Sequence, residues 1–249
     1  MHTPVDNARA VLLCRYNGPM NAPRTARERA RAELTAEILA AARRQLAEEG
    51  SAMLSLRSIA RELGMASSAV YRYFASRDEL LTALIVQSYT EIGEAAENAD
   101  LPGAAPQERW LAVWRAVREW ALANRHEYAL IFGTPVPGYI APHITIEVAG
   151  RMPLTLARIV ADTRKDGNLT PATGPVCPPE AINPDMTLLL EGERFSADEV
   201  ARLVFCWNRL VGIIGYELHG HLANVTADDS LFFDHTARTE GAYIGLPFR

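Results

Sequence analysis

The chain is 249 residues long, enough for a substantial core in one large domain or two modest ones, and its formal net charge is −5. That charge is uneven, because residues 1–80 hold 12 Arg against 9 acidic side chains, a net +3, and the remainder carries −8. An acidic body discourages non-specific coating of nucleic acid but leaves a positive head able to bind it locally, and the lack of any run of about 18 apolar residues excludes a membrane span.

Residues 1–23 carry Pro4, Gly18, Pro19 and Pro23 without periodicity and are expected to form a flexible N-terminal arm. Arg24, Arg27, Arg29 and Arg31 open a first helix, and Glu28 and Glu33 interleave with them. Two readings stand for this row, a line along a DNA backbone or a solvated helix start. The helix, roughly Thr25 to Glu49, puts Leu34, Ile38, Ala41, Ala42 and Leu46 on one side and ends at Gly50. Ser55 then caps a short helix with Leu56, Ile59, Ala60 and Leu63 on its apolar face, and Gly64 supplies the left-handed turn after it. In the next helix Val70 and Phe74 point inward and leave Ser67, Ser68, Tyr71 and Arg72 outside. This is the pattern of a helix-turn-helix, and its outward set can enter a major groove, donate to phosphates and bring a guanidinium to a base edge. Ser76-Arg77-Asp78-Glu79 reads as a capping box, with Glu79 reaching back to the Ser76 N–H, so a long helix starts at Arg77 with phosphate-binding potential in its first turn.

With Tyr71, Phe74, Arg77, Glu79 and Leu80 in these positions, the chain resembles the TetR family of bacterial transcription regulators over about fifty residues, from Thr35 to Leu81. The resemblance implies an all-α protein, with an N-terminal three-helix reading head joined by a long helix to a helical ligand-binding and dimerisation domain. Its boundaries are expected at 1–23 for the arm, 24–76 for the helix-turn-helix domain and 77–249 for the body. The expected DNA-binding residues are Ser55, Arg57, Ser67, Ser68, Tyr71, Arg72, Tyr73 and Arg77. Two positions depart from the family pattern. Ala66 stands where a capping Ser or Thr is frequent, which passes the cap to Ser67, and Tyr73 stands where His is common, which keeps a donor but removes a titratable charge. Met20 begins a sequence normal for a start in this family, so residues 1–19 are either an annotation artefact or an arm that touches DNA.

The connecting helix is expected to run to about Asn98 and to break at Asp100-Leu-Pro-Gly103. From Gln107 to Asn124, Trp110, Trp114, Val117 and Trp120 recur near helical spacing, and Tyr128, Ile131 and Phe132 follow on the next helix. Two compatible readings stand for these rings, a packed aromatic core or the lining of an apolar pocket. The pocket reading takes Trp110, Trp114, Arg118, Tyr128, Phe132 and Trp207 as effector-binding residues and an apolar or aromatic small molecule as the partner. Phe132 to Pro142 cannot be continuous helix because three prolines interrupt it, and it serves as a pocket mouth or a plain connection. Residues 163–195 read as a long surface loop that exposes Cys177. Ser196-Ala-Asp-Glu199 opens a helix whose stripe supplies the expected dimer interface at Val204, Leu210, Val211, Ile214 and Leu218, with a further helix from about Ala227 to Ile244 behind it.

Cys14, Cys177 and Cys206 form no closely spaced pair, which predicts a reducing, cytoplasmic setting. All but one of the 25 basic residues are Arg, Lys165 being the exception, and their abundance in the body as well as the head points to a genomic base bias. His219 and His221, two apart on a helix, diverge by about 200° and are not expected to share a metal. No phosphate loop, nucleophile elbow or paired metal motif stands in the chain, so neither an enzyme nor a cofactor is expected. The expected function is a ligand-responsive regulator, a homodimer on a palindromic operator that represses until a small effector releases it. Repression is taken from the resemblance, and a constitutive helix-turn-helix binder without effector control is the alternative.

Overall fold

The computed structural model describes residues 25–171, 173–188, 190 and 192–248; the expected arm, Arg24 and Cys14 lie outside them. Among the described residues every regular element is helical, and the fold is all-α with an N-terminal helix-turn-helix and a C-terminal helical domain.

Helix α1 spans Ala26–Glu49 and is closed at both ends by local chemistry. Thr25 accepts from the Glu28 N–H while Glu28 returns to the Thr25 N–H, and Gly50, at φ +80°, donates to the Leu46 carbonyl. A 3-10 turn, Ser51–Met53, leads to α2, Leu56–Glu62, and α3, Ser67–Val70, follows after one tight turn. Helix α4 spans Arg77–Ala99, α5 Pro106–Ala123, α6 Arg125–Phe132, α7 Ile144–Ala149 and α8 Arg151–Lys165. Helix α9 spans Ala197–Leu218, opened by the expected Ser196/Glu199 capping box, and α10 spans Asp229–Ile244, capped by Asp228.

Packing divides the described chain into two compact units. One takes the residues up to Thr90 together with Asn124–Val148, the other Glu91–Ala123 with the residues from Ala149 onward, and α4 contributes to both. The core of the first gathers Ile38, Ala41 and Ala42 of α1, Leu56, Ile59 and Ala60 of α2, Val70 and Phe74 at α3, and Leu80, Leu81, Leu84 and Ile85 of α4. Val136, from the proline-rich segment after α6, is buried in this same core. Tyr139 reinforces that anchorage through a 2.9 Å hydrogen bond between its hydroxyl and that of Thr82, and Tyr89 Oη donates to the Ile131 carbonyl at 3.1 Å. The segment 133–142 is therefore non-helical, as its prolines require, and packs on the head as a strap.

The second unit is built from α5, α8, α9 and α10 with the end of α4. Arg109, buried on α5, holds it through a bidentate pair with buried Asp100, at 2.6 and 3.0 Å, and a third bond to Asp162 of α8 at 2.9 Å. The span 163–195 differs from the expected loop. Its first three residues finish α8, 3-10 turns form at Pro179–Ala181 and Pro184–Leu188, and side chains tie the rest down. Cys177 N–H donates to Asp198, Arg202 donates to the Thr173 carbonyl, and Arg164 pairs with Glu193 and Glu199. Cys177 is accordingly half-buried rather than exposed. Among the described residues no helix is long and apolar enough to cross a membrane.

Candidate nucleic-acid interface

The candidate surface is made by the α2–turn–α3 segment. Ser55 accepts from the Ser58 N–H at the start of α2, and its own N–H donates to Gln45 Oε1 at 3.0 Å, which fixes α2 against α1. At the end of α2 the Met65 N–H bonds the Ala60 carbonyl at 2.8 Å across Gly64, whose φ of +64° only glycine adopts without cost. Below α3, Val70 and Phe74 enter the core, and on its outer side Ser67, Ser68 and Arg72 are exposed and Tyr71 is 42% exposed. Arg57 is exposed on α2. The outward set of hydroxyls, one aromatic ring and two guanidiniums is thus free of the core, and it has the chemistry to bond phosphates and base edges.

Three expected residues are engaged within the chain. Ser55 is spent on its cap. Arg77 donates to the Ser51 carbonyl at 2.8 Å and the Leu54 carbonyl at 3.2 Å, so its guanidinium ties the loop after α1 to the start of α4 instead of standing free. Tyr73 is half-buried, and the Arg31 guanidinium lies 5.1 Å from its ring centroid. The cap of α3 also differs from expectation. Ala66 occupies the N-cap without a side-chain acceptor and Ser67 begins the helix proper, so the Ser67 hydroxyl does not cap. At α4, Ser76 accepts from the Glu79 N–H at 3.1 Å as expected, but Glu79 reaches back to the Ala75 N–H, one residue earlier than the pattern implies.

In the second unit Trp110 and Trp114 stack at 5.8 Å, and Phe233 of α10 lies 5.8 Å from Trp114. The Trp110 indole donates to the Ala237 carbonyl at 2.9 Å. Trp114 is wholly buried and its indole N–H has no acceptor, and the buried indole N–H of Trp207 on α9 also lacks one. Arg118 is no free anchor for a charged ligand, because it chelates Glu217 at 2.6 and 2.7 Å and lies over Phe233. Tyr128 and Phe132 belong to the first unit, where their rings meet at 5.0 Å and Phe132 meets Tyr89 edge-on at 5.9 Å. Burial pushes the Tyr128 hydroxyl above its ordinary titration range. The structure therefore distributes the six expected effector residues over both units.

The expected dimer stripe divides between the core of this chain and its surface. Leu210 and Ile214 are wholly buried, aligned with Leu203 and Cys206 on the inner face of α9, and they fill this chain's own core. Val204, Val211 and Leu218 are half-buried. The outer face of α9 instead presents Phe205, 57% exposed, and Tyr216, 58% exposed, beside Asn208, Arg209 and Gly212. With Tyr243 of α10 these side chains border an open groove of about 670 Å³. Helix α9 ends at Leu218, the chain turns at Gly220, and the His219 and His221 rings come to 6.2 Å, so they do not diverge as two helical residues would. Among the described residues no group of three or more His, Cys, Asp or Glu side chains could hold a metal ion.

Comparison with known proteins agrees with this geometry. The family model for bacterial regulatory proteins of the tetR family matches residues 38–84, and the one for the tetracyclin repressor-like C-terminal domain matches residues 110–239. The HTH-type transcriptional regulator Rv1816 of Mycobacterium tuberculosis is 38% identical over 218 residues, covering 85% of this chain and 92% of that relative. The crystal structure of the regulatory protein SCO4313 is 31% identical, with a TM-score of 0.69 over 87% of this chain and 98% of the other. RolR, solved in complex with resorcinol, shares the fold at 18% identity and a TM-score of 0.51, over 88% of this chain and 91% of its own. A helix-turn-helix with an uncovered outer face, set on a helical body of this descent, makes the chain a DNA-binding transcriptional regulator of the TetR family.

Proposed function

We propose that this regulator is a homodimeric repressor that holds a palindromic operator until a small, uncharged aromatic or apolar molecule enters the body and releases it. The observation that carries the effector reading is the pair of buried indole N–H groups, Trp114 and Trp207, without acceptors. A buried donor left unmade costs about 1–3 kcal/mol, which a ligand carrying an acceptor would recover. The neighbouring cations Arg109, Arg115 and Arg118 are each paired with carboxylates, which favours a neutral guest. RolR with resorcinol supports an aromatic guest for this fold.

The dimer reading rests on the outer face of α9, whose exposed Phe205 and Tyr216 are the kind of apolar side chains that a partner covers. Two heads about 34–36 Å apart would then engage successive turns of one groove. The effector must prefer the DNA-incompetent state, since equal affinity for both shifts nothing.

The test is release of operator-bound protein by a panel of neutral aromatics, with Trp114→Phe beside the wild type. A molecule that frees the wild-type protein should free the variant at roughly five- to tenfold higher concentration, with operator affinity unchanged. Equal release of both would remove Trp114 from the site, and release by no member of a broad panel would favour the constitutive binder.

A further inference from the structure

Helix α1 carries cations of two kinds. Towards its C-terminus Arg44 pairs with Glu62 at 2.6 Å and Arg43 approaches Glu127 at 3.9 Å, so their charges are compensated within the head. Towards its N-terminus Arg27, Arg29 and Arg31 are exposed, and no ion pair joins them to a described carboxylate. Glu28, the acidic neighbour in that first turn, is committed to the cap, with its carboxylate on the Thr25 N–H at 2.9 Å.

Arg31 is singled out among these by Tyr73, over whose ring it is held. An aromatic face orients a guanidinium without neutralising it, whereas a carboxylate would do both. The donors of Arg31 therefore remain available and aimed. Tyr73 lies in the turn that follows α3, after Tyr71 and Arg72, so the contact brings a cation from α1 to the C-terminal end of α3. About 40° of helical offset separates side chains four apart, which places Arg27 next to Arg31 on the same side of α1.

We propose that Arg31 grips a phosphate flanking the groove that α3 reads, and that Tyr73 is the residue that positions it. The partner is the phosphodiester backbone of duplex DNA, and the contact adds affinity without sequence preference. The charge over the groove edge then comes from Arg31, and the tyrosine aims it. This inference rests on the DNA-binding assignment of the head.

The experiment is fluorescence anisotropy with two labelled duplexes, one from upstream of the protein's own gene and one unrelated, across a salt series. Arg31→Gln, an exposed substitution that leaves the core untouched, should weaken binding to both duplexes about 5–10-fold at 0.1 M salt and reduce the slope of log K against log salt by about one. Added to Tyr73→Phe, which keeps the ring face, Arg31→Gln should still lower the slope; added to Tyr73→Leu it should lower it no further. An unchanged slope and affinity for Arg31→Gln would overturn the proposal, as would a full Arg31 effect in the Tyr73→Leu background, which would remove Tyr73 from it. Failure of the wild-type protein to bind either duplex would instead overturn the DNA-binding assignment itself.

Discussion

Single residues in the head work through backbone geometry and through commitment of their polar groups. A Cβ added at Gly64 meets nothing within 4 Å, so crowding does not demand glycine there; its φ of +64° does. Gly64→Ala is expected to destabilise the head by about 1–2 kcal/mol, read as a lower midpoint in chemical denaturation. An unchanged midpoint would mean that the turn rearranges. The same logic separates the arginines. Arg72 and Arg57 project outward, while Arg77 spends its donors on the Ser51 and Leu54 carbonyls. Arg77→Ala should therefore cost stability as well as DNA affinity, and a loss of affinity alone would show that its guanidinium leaves those carbonyls on DNA. Neither this strut nor the Arg31–Tyr73 contact is legible in the sequence, because the partners lie 23 to 42 residues apart and no periodicity links them.

Elements whose ends carry local chemistry are legible, and those joined through long-range packing are not. Thr25/Glu28 and Gly50 bound α1, Ser55 opens α2, and Ser196/Glu199 opens α9, each by a bond spanning three or four residues. The stripe on α9 shows the limit of such reading. Apolar residues occupy both of its faces, so spacing finds the helix but cannot tell Leu210 and Ile214, which face the core, from Phe205 and Tyr216, which face outward. Helices α7 and α8 carry no cap signal, and no side-chain cap forms at the start of α8. At this scale the Asp100–Arg109–Asp162 cluster binds the α4–α5 turn to α8. Asp100→Asn leaves a buried guanidinium under-compensated and should cost on the order of 3 kcal/mol in chemical denaturation. A loss below 1 kcal/mol would mean that Asp162 suffices alone.

For the molecule as a whole, the grouping of Asn124–Val148 with the reading head changes what the proline-rich segment does. Val136 and Tyr139 anchor it to the core of the head, a role that sequence patterning left open between pocket mouth and plain connection. Acid should weaken the other unit through the carboxylates that hold it. Arg202 and the Cys177 N–H keep Asp198 below the usual carboxylate range, and Arg115 does the same for Asp234. Groups depressed in the folded state stabilise it above the unfolded value near pH 4 and lose that contribution as pH falls further. Thermal melts from pH 7 to pH 3 should therefore show a smaller acid-induced loss for Asp198→Asn than for the wild type, from a lower starting stability at pH 7. Parallel curves would contradict this.

The claim on which the rest depends is that the outer face of α3 reads DNA. Anisotropy of the wild-type protein, Tyr71→Ala and Arg72→Ala on the duplex upstream of its own gene, with excess unrelated DNA, tests it most directly when paired with sedimentation of each protein. Saturable wild-type binding that survives the competitor, weakened tenfold or more in both variants without change in sedimentation, is the expected result. Wild-type affinity in both variants would contradict the account.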